Sequence, residues 1–392
     1  MIRKNVTIIG GGGYVGLNIA SKLQRDADFQ YVITVLDVAV VPLVNLSTSI
    51  NYSEIKFIKG SFCDVALLEE ALKDAEIVFH IAAVGVMGLS AGDRKEIYRV
   101  NIDGTAMLLE KCKEFGVKSF VFASSIAVVM VGDPLYDHSE NEPLPDPRRY
   151  PTYYGYSKAA AEKLVLAASC DTFKTCALRL RAIYGAGDPN ATRRVVDLIK
   201  TGMFLSRCTR NKNNREAITQ ASSINNVSNA FVLADKMLGK LDGPHGKAYN
   251  ILDEQVTGTF EFWTPLVETL GLPKPTVFFP FWLLYFLARI NEFLCFYVFK
   301  TNPILTSFEL ILLATDNTYS LKNAKRDLEY VPEEGNMKEV AEYYSDERDP
   351  MRWTVPEYIR LILIYFSIIF IVSFNIVAIL KFIFGILYKL SN

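Results

Sequence analysis

The chain lacks several signals that would place it in a common functional class. Its 392 residues include three histidines, far apart in sequence, and six cysteines without a C-x-x-C pair, so we expect no metal site. Basic and acidic residues nearly cancel, at 42 against 43. A nucleic-acid-binding protein usually has a basic excess, and we therefore expect no nucleic-acid partner.

The two ends of the chain differ in hydrophobicity. The N-terminal apolar run is much shorter than the h-region of a signal peptide, and it predicts an opening β-strand instead. Residues 361–380 carry no charge and lie between Arg360 and Lys381. A run of about 20 apolar residues crosses a hydrocarbon core of about 30 Å. We expect a C-terminal transmembrane helix there, within a membrane anchor at 351–392.

A second apolar stretch, 281–299, is interrupted by Arg289, Asn291 and Glu292. Charges inside a membrane span cost a few kcal/mol each, so we expect a helix that lies in the lipid headgroups. Two alternatives stay open, an aromatic substrate entrance and an ordinary core helix. The aromatic side chains concerned are Trp282, Tyr285, Phe293 and Tyr297.

Strand-like and helix-like segments alternate up to about residue 185. Predicted strands lie at 5–9, 31–36, 55–58, 76–80, 118–123 and 175–180, and predicted helices at 14–23, 65–72, 95–114 and 152–168. Strands separated by helices pair in parallel, which gives an α/β fold with a Rossmann-type doubly wound sheet. We predict this core over 1–185, then a smaller substrate-binding part with residual core elements over 186–350.

The turn after the first strand is rich in glycine. Glycines at Gly10, Gly13 and Gly16 allow a tight turn, close approach of a pyrophosphate and close helix packing. The following helix presents free N–H groups to the phosphates. Asp37 ends the second strand, where an acid accepts hydrogen bonds from the adenosine ribose and repels a 2′-phosphate. The sequence therefore favours NAD over NADP as the cofactor.

Further residues belong to the same predicted cofactor site. Tyr14 and Val15 begin the helix that follows the glycine turn. Asp64 follows the third strand, where it either contacts the adenine amino group or caps a helix. Both explanations of Asp64 remain open at this point.

Tyr154 and Lys158 are the candidate catalytic pair. They are four residues apart on a predicted helix, so both side chains face one side. A neighbouring ammonium lowers the pKa of a tyrosine and makes it a usable base. Ser124 and Ser125 end the preceding strand, at the edge where doubly wound sheets bind ligands. A serine hydroxyl there would orient a substrate oxygen.

Together these motifs resemble the extended short-chain dehydrogenase/reductase superfamily over about residues 5–345. The resemblance is carried by GGGGYVG at 10–16, FHIAA at 79–83, VNIDGT at 100–105, FASS at 122–125, YGYSK at 154–158 and LRLRAIYGAGDP at 178–189. It implies a catalytic triad of Ser125, Tyr154 and Lys158, with Ser124 as the alternative serine. Asn101 would support a proton-relay water or simply cap a helix. Ala82 joins the cofactor site, as do Tyr154 and Lys158.

The sequence is most similar to the 3β-hydroxysteroid dehydrogenase/Δ5-isomerase branch. That likeness rests on FASSIAVV, INNVSNAFVLA at 224–234, GKAYNILDE at 246–254 and SLKNAKRDLEYVPE. It implies NAD-dependent oxidation of a steroid or sterol 3β-hydroxyl, with or without Δ5-to-Δ4 isomerisation. Decarboxylating sterol-4α-carboxylate 3-dehydrogenases share nearly all of these features. A nucleotide-sugar epimerase or reductase and an idle NAD-binding membrane scaffold are further alternatives.

The likeness and the membrane segments also imply partners and a location. We expect a sterol or steroid substrate, contact with membrane lipid, and the endoplasmic reticulum or another internal membrane, with the catalytic part facing the cytosol. Helices 95–114 and 152–168 commonly pair in this family, which implies a homodimer but leaves the oligomeric state open.

Overall fold

The computed structural model describes residues 2–40, 50–86, 88–200, 204, 206–240, 243, 245–303 and 305–347. The predicted membrane span at 361–380 and the anchor at 351–392 lie outside these residues. The strands are β1 (Ile2–Ile9), β2 (Phe29–Asp37), β3 (Ile55–Lys59), β4 (Ile77–His80), β5 (Ser119–Ser125), β6 (Leu135–His138), β7 (Lys174–Leu180), β8 (Ile183–Tyr184), β9 (Ser206–Arg207), β10 (Ile218–Thr219), β11 (Ser222–Ser223), β12 (Lys247–Ile251), β13 (Thr257–Gly258), β14 (Val277–Phe278) and β15 (Asn317–Tyr319).

The helices alternate with the core strands as predicted. They are α1 (Tyr14–Gln24), α2 (Val65–Leu72), α3 (Arg94–Tyr98), α4 (Thr105–Glu114), α5 (Tyr153–Ala167), α6 (Ala191–Lys200), α7 (Ile224–Leu238), α8 (Thr264–Thr269), α9 (Phe281–Phe293), α10 (Ser307–Ala314), α11 (Lys322–Asp327) and α12 (Met337–Tyr343). Two π-helical segments, Arg99–Gly104 and Leu294–Phe299, join α3 to α4 and extend α9.

Seven strands form one parallel sheet in the order β12-β7-β5-β4-β1-β2-β3. The chain moves outwards in one direction from β1 to β3 and in the other from β4 to β12. The crevice at the carboxyl ends of β1 and β4 is therefore the switch point, where such sheets bind dinucleotides. The Rossmann-type fold is confirmed.

Apolar residues cover both faces of the sheet. On one face, side chains such as Ile8, Ile19 and Phe231 join the sheet to α1 and α7. On the other, Leu108 and Val165 pack α4 and α5 against the sheet. Both faces of each central strand are thus buried, as expected for a parallel sheet with helices on both sides.

Residues after 185 contribute to the core and to a second cluster. Strand β12 is an edge of the main sheet and α7 covers one face, so these are core elements within the second half of the chain. A separate apolar cluster includes Trp263, Leu266, Leu310 and Val340, from α8, α10, α12 and the residues just before α8. The substrate-binding role of this part stays a prediction.

The apolar helix at 281–299 lies on the surface. Only 11% of its most apolar 18-residue window is buried, so the alternative of an ordinary core helix is wrong. By length and composition it is also long enough to cross a membrane. Glu292, however, accepts hydrogen bonds from the backbone N–H and the hydroxyl of Ser307 at the start of α10. The carboxylate of Glu292, one of the two charged groups of this helix, is therefore bound within the protein.

Candidate active site

The glycine turn between β1 and α1 is packed too tightly for a side chain at two positions, Gly10 and Gly16. Gly10 has a φ of +81°, and a Cβ there would lie 2.5 Å from the backbone nitrogen of Ala82. A Cβ on Gly16 would overlap the Cα of Gly11. These two glycines let α1 approach the sheet closely, as the sequence predicted.

Gly13 is different, because no described residue requires it to be glycine. Its φ is −83°, and among the described residues a Cβ there would meet no atom closer than the carbonyl oxygen of Gly10 at 3.9 Å. Gly13 is the N-cap of α1, and no side chain caps that helix end. Open space in front of free backbone N–H groups is what a dinucleotide pyrophosphate needs. The turn therefore fits the predicted cofactor.

Asp37 lies beside this turn at the end of β2. Its Oδ2 accepts a hydrogen bond of 2.9 Å from the N–H of Gly12, and its Oδ1 one of 3.3 Å from Ala39. The carboxylate thus borders a cavity of about 400 Å³ at the ends of β2 and β3. That cavity is lined by Asp37, Val38, Ala39, Val40, Phe57, Ile58 and Lys59. Sequence reasoning missed Lys59, which lies opposite Asp37 in the register of the neighbouring strands β2 and β3.

The remaining cofactor candidates occupy different places. Asp64 is the N-cap of α2 and accepts from the N–H groups of Ala66 and Leu67, so the capping explanation is confirmed. Its adenine contact stays a prediction. The buried phenol of Tyr14 donates to the carbonyl of Ala186, which leaves only its backbone for the cofactor. Val15 is half-buried against the core beneath α1.

Tyr154 and Ser125 meet at the end of β5. Thr152 caps α5 by accepting from the N–H of Gly155 at 3.0 Å, which starts the helix at Tyr153 and turns Tyr154 towards the sheet. The Ser125 hydroxyl lies close enough to the Tyr154 phenol to affect its pKa, and it accepts a hydrogen bond of 3.1 Å from the N–H of Ala127. Burial raises the pKa of Tyr154 to about 12, and the neighbouring Ser125 hydroxyl acts in the opposite direction.

Lys158 lies one turn further along α5 and is 2% exposed. Its Nζ donates a hydrogen bond of 2.6 Å to the carbonyl of Ala123 and lies 4.4 Å from the centre of the Phe122 ring. Burial lowers the pKa of Lys158 to about 7, while the carboxylate of Glu162 favours the charged form. The side-chain nitrogen of Lys158 is therefore held against β5 at Ala123, two residues before Ser125.

Glu162 and Arg179 are functional candidates that sequence reasoning missed. Glu162 is 1% exposed and binds Arg179 through both of its carboxylate oxygens, at 2.7 and 3.0 Å. The Ser124 hydroxyl donates to the same carboxylate at 2.6 Å. The Ser124 hydroxyl is therefore engaged by Glu162, whereas Ser125 is the serine that neighbours the Tyr154 phenol. The signal was a glutamate four residues after Lys158, within an apolar helix face.

Asn101 lies inside the helical run rather than at its start. It belongs to the π-helical turn Arg99–Gly104, so the capping explanation is wrong. Its side chain exchanges hydrogen bonds of 2.9 Å with the backbone of Val84 and donates to the hydroxyl of Ser157, also at 2.9 Å. Asn101 thus joins the loop after β4 to the catalytic helix. Its relay role stays a prediction.

The fold and this site together define a short-chain dehydrogenase/reductase. A dinucleotide turn, a serine at the end of β5 and a tyrosine–lysine pair on α5 are its parts. More narrowly, the chain belongs to the 3-beta hydroxysteroid dehydrogenase/isomerase family, whose model matches residues 7–281. The predicted family is confirmed.

Relatives and solved structures agree with this assignment. The chain is 33% identical to "3beta-hydroxysteroid dehydrogenase/Delta(5)-Delta(4) isomerase 1" of Caenorhabditis elegans, over 88% of this chain and 79% of that protein. It is 27% identical to mouse (Mus musculus) "Sterol-4-alpha-carboxylate 3-dehydrogenase, decarboxylating", over 84% and 87%. An NAD complex of UDP-glucuronic acid 4-epimerase from Bacillus cereus has the same fold, with a TM-score of 0.64 and 18% identity, over 89% of this chain and all of that one. The predicted NAD-dependent dehydrogenase class is thus confirmed.

Proposed function

We propose that this protein oxidises the 3β-hydroxyl of a steroid or sterol to the 3-ketone, with NAD as the acceptor. The observation that carries the proposal is that the Ser125 hydroxyl neighbours the Tyr154 phenol, while Lys158 is buried one turn further along the same helix. This arrangement occurs in a chain of the 3-beta hydroxysteroid dehydrogenase/isomerase family.

Each of the three side chains has a defined task in the reaction. Tyr154, as phenolate, accepts the proton of the substrate hydroxyl. Ser125 binds the same oxygen and holds it at Tyr154. Protonated Lys158 favours the phenolate, because a nearby positive charge lowers the pKa of a tyrosine. NAD, when bound, supplies the acceptor for the hydride that leaves the carbinol carbon.

The cofactor would be held by the turn and the strand end already described. The N–H groups at the start of α1 bind the pyrophosphate, in the space in front of Gly13. Asp37 binds the adenosine ribose and disfavours a 2′-phosphate. Lys158 binds the second ribose. We therefore expect a preference for NAD over NADP.

The surface of α9 supports an apolar substrate taken from a membrane. Trp282 is 69% exposed, and Phe286, Phe293 and Tyr297 follow it along the same side of the helix, each more than half exposed. Exposed aromatic residues on one face are typical of helices at a lipid surface. Phe296, in the π-helical extension of α9, contacts Gly92. Gly92 lies in the segment between β4 and α3. The proposal therefore includes contact of the protein with lipid. It also includes a location at the endoplasmic reticulum or another internal membrane, with the active site facing the cytosol.

The test is turnover by membranes that contain the full chain. They are incubated with NAD and a 3β-hydroxy-Δ5-steroid, and NADH and organic products are followed. NADH with a 3-ketone supports the proposal, and a 3-keto-Δ4 product adds isomerase activity. Product without NADH accumulation would favour the epimerase alternative, and binding of NAD without any turnover would favour the scaffold.

A second candidate is the oxidation of a sterol-4α-carboxylate with loss of carbon dioxide. It is favoured by the similarity to the mouse enzyme of that name. The same assay with a 4α-carboxysterol separates the two candidates. Turnover of the carboxysterol alone, with release of carbon dioxide, would move the function to sterol demethylation.

A further inference from the structure

Five buried side chains behind the catalytic helix each have a polar atom with no hydrogen-bond partner among the described residues. The atoms are Nδ1 of His138, Nη1 of Arg179, Nε of Arg181, Oδ1 of Asn250 and Oη of Tyr319. None of the five residues is more than 7% exposed. Buried polar groups are nearly always paired, so five in one region call for bound partners.

The five residues lie together. Arg179 on β7 is the paired neighbour of Asn250 on β12. His138 is paired with Tyr319 across β6 and β15, with ring centres 6.3 Å apart. The amide of Asn250 donates to the carbonyl of His138 at 3.1 Å. Tyr319 is within electrostatic range of both Arg179 and Arg181. We call this group of five the polar chamber.

Arg181 gives the polar chamber a positive charge that no ion pair among the described residues balances. Arg179 is balanced by Glu162. The side chain of Arg181 makes a single hydrogen bond within the described part of the chain, from Nη1 to the carbonyl of Gln220 at 2.9 Å, and no carboxylate there lies within 4.0 Å of it. Burial of an unpaired charge is costly, and buried charges are therefore usually paired.

Nearby carboxylates are occupied elsewhere. Glu140 is within electrostatic range of Arg179, but its oxygens accept from the N–H of Asn250 and the amide of Asn323, and burial raises its pKa. Glu142 lies 3.7 Å from Nε2 of His138, on the other side of that ring from the unpaired Nδ1. Neither balances Arg181.

We propose that the polar chamber binds a small monovalent anion, chloride in the cell. The anion would accept from Nη1 of Arg179, Nε of Arg181 and the hydroxyl of Tyr319. The acceptors on Asn250 and His138 would then face a water molecule beside it. The five residues of the polar chamber include none of the candidate catalytic side chains, and the proposal does not depend on the substrate of the enzyme.

The anion is connected to the catalytic strand through Arg179. The other N–H groups of that guanidinium hold Glu162, which in turn accepts from Ser124, the neighbour of Ser125. Without the anion, the two positive charges of Arg179 and Arg181 are balanced by one negative charge, that of Glu162. We therefore expect chloride to stabilise the folded enzyme.

The test compares chloride or bromide with gluconate, on the purified full chain at constant ionic strength. At halide concentrations about tenfold above the Kd, we expect the thermal midpoint to rise by about 3 °C. Crystals soaked in bromide should show an anomalous peak within hydrogen-bond distance of Arg181 and Tyr319. Arg181→Met should abolish the halide response, and Tyr319→Phe should weaken halide binding at least fivefold. Arg148→Met, at an exposed arginine, is the matched control.

Two results would overturn the proposal. One is a halide response in Arg181→Met and Tyr319→Phe that equals the response of the unsubstituted protein. The other is density for water alone at this position in bromide crystals. If Arg181→Met does not fold, Tyr319→Phe and the bromide crystals still decide. Because the readouts are stability and density, a failure here leaves the proposed dehydrogenase reaction untouched.

Discussion

The two ends of the glycine turn should respond differently to the same substitution. Gly16→Ala places a methyl group on the backbone of Gly11, and atoms of the backbone do not yield easily. Overpacking of this kind typically costs about 1–3 kcal/mol, and we expect the upper part of that range. Gly13→Ala places its methyl group in open space, 3.9 Å from the nearest protein atom.

Gly13→Ala should therefore reduce NAD binding with little effect on the fold. Alanine is a poorer N-cap than glycine, and the expected loss of stability is below about 1 kcal/mol. The methyl group would lie where the pyrophosphate approaches α1, and we expect NAD affinity to fall at least tenfold, or about 1.4 kcal/mol.

The assay combines calorimetric titration with NAD and thermal unfolding. Gly239→Ala is the matched control, since a Cβ there also meets ordinary space, 3.5 Å from the nearest atom, far from the turn. NAD affinity unchanged by Gly13→Ala would refute the placement of the cofactor. Equal destabilisation by Gly13→Ala and Gly16→Ala would refute the geometry of the turn.

Three further predictions concern charge and surface. Burial lowers the pKa of Lys158 to about 7, so between about pH 8 and 10 the unfolded chain binds one more proton than the folded one and stability rises with pH. In Lys158→Met that contribution, about 1.4 kcal/mol per pH unit, should vanish from the free energy of unfolding measured with urea; the same pH dependence of that free energy in both proteins would contradict it. Glu162→Gln leaves Arg179 buried without its carboxylate and should cost about 3–5 kcal/mol in the same measurement, whereas a loss below 1 kcal/mol would show that the pair is unimportant. Serine at all three exposed aromatic positions of α9 should weaken liposome binding and raise the KM for sterol, unlike the control Val331→Ser on an exposed valine elsewhere; the three positions are Trp282, Phe286 and Phe293.

The sheet could be predicted from the sequence, and so could the common direction of Tyr154 and Lys158, because both depend on local patterns. Parallel strands buried on both faces are short apolar runs, and their spacing by helices determines the topology. Tyr154 and Lys158 are four residues apart on one helix, so their common direction follows from helical geometry. The predicted strands of the first 185 residues, and three of the four helices, differ from those observed by at most a few residues at their ends. The predicted helix 95–114 is interrupted by the π-helical segment Arg99–Gly104, and the short strands β6 and β8 were not predicted.

What the sequence could not determine depends on contacts between distant residues. Asp64 had two explanations, and only the N–H groups of α2 show that it is a cap. Asn101 looked like a cap because a π-helical turn has no clear sequence signal. The partnership of Glu162 with Arg179, and the unpaired charge of Arg181, appear only when α5, β7 and the short β6–β15 pair come together.

The surface helix illustrates the same limit. Its aromatic residues predicted a helix at a lipid surface, but not which of them face outwards. Tyr285 is half-buried against Phe281, whereas Phe286 is exposed. A difference of one residue rotates a side chain by about 100° around a helix. The liposome-binding test therefore uses Phe286 and not Tyr285.

The central claim is that Tyr154 carries out proton transfer in the oxidation of a 3β-hydroxyl. The most direct measurement is NADH formation by Tyr154→Phe with a 3β-hydroxy-Δ5-steroid, beside calorimetric NAD binding, with Tyr153→Phe as the neighbouring control. The account predicts a rate at least 100-fold lower for Tyr154→Phe, with NAD affinity kept and the control fully active. Undiminished NADH formation by Tyr154→Phe would contradict it.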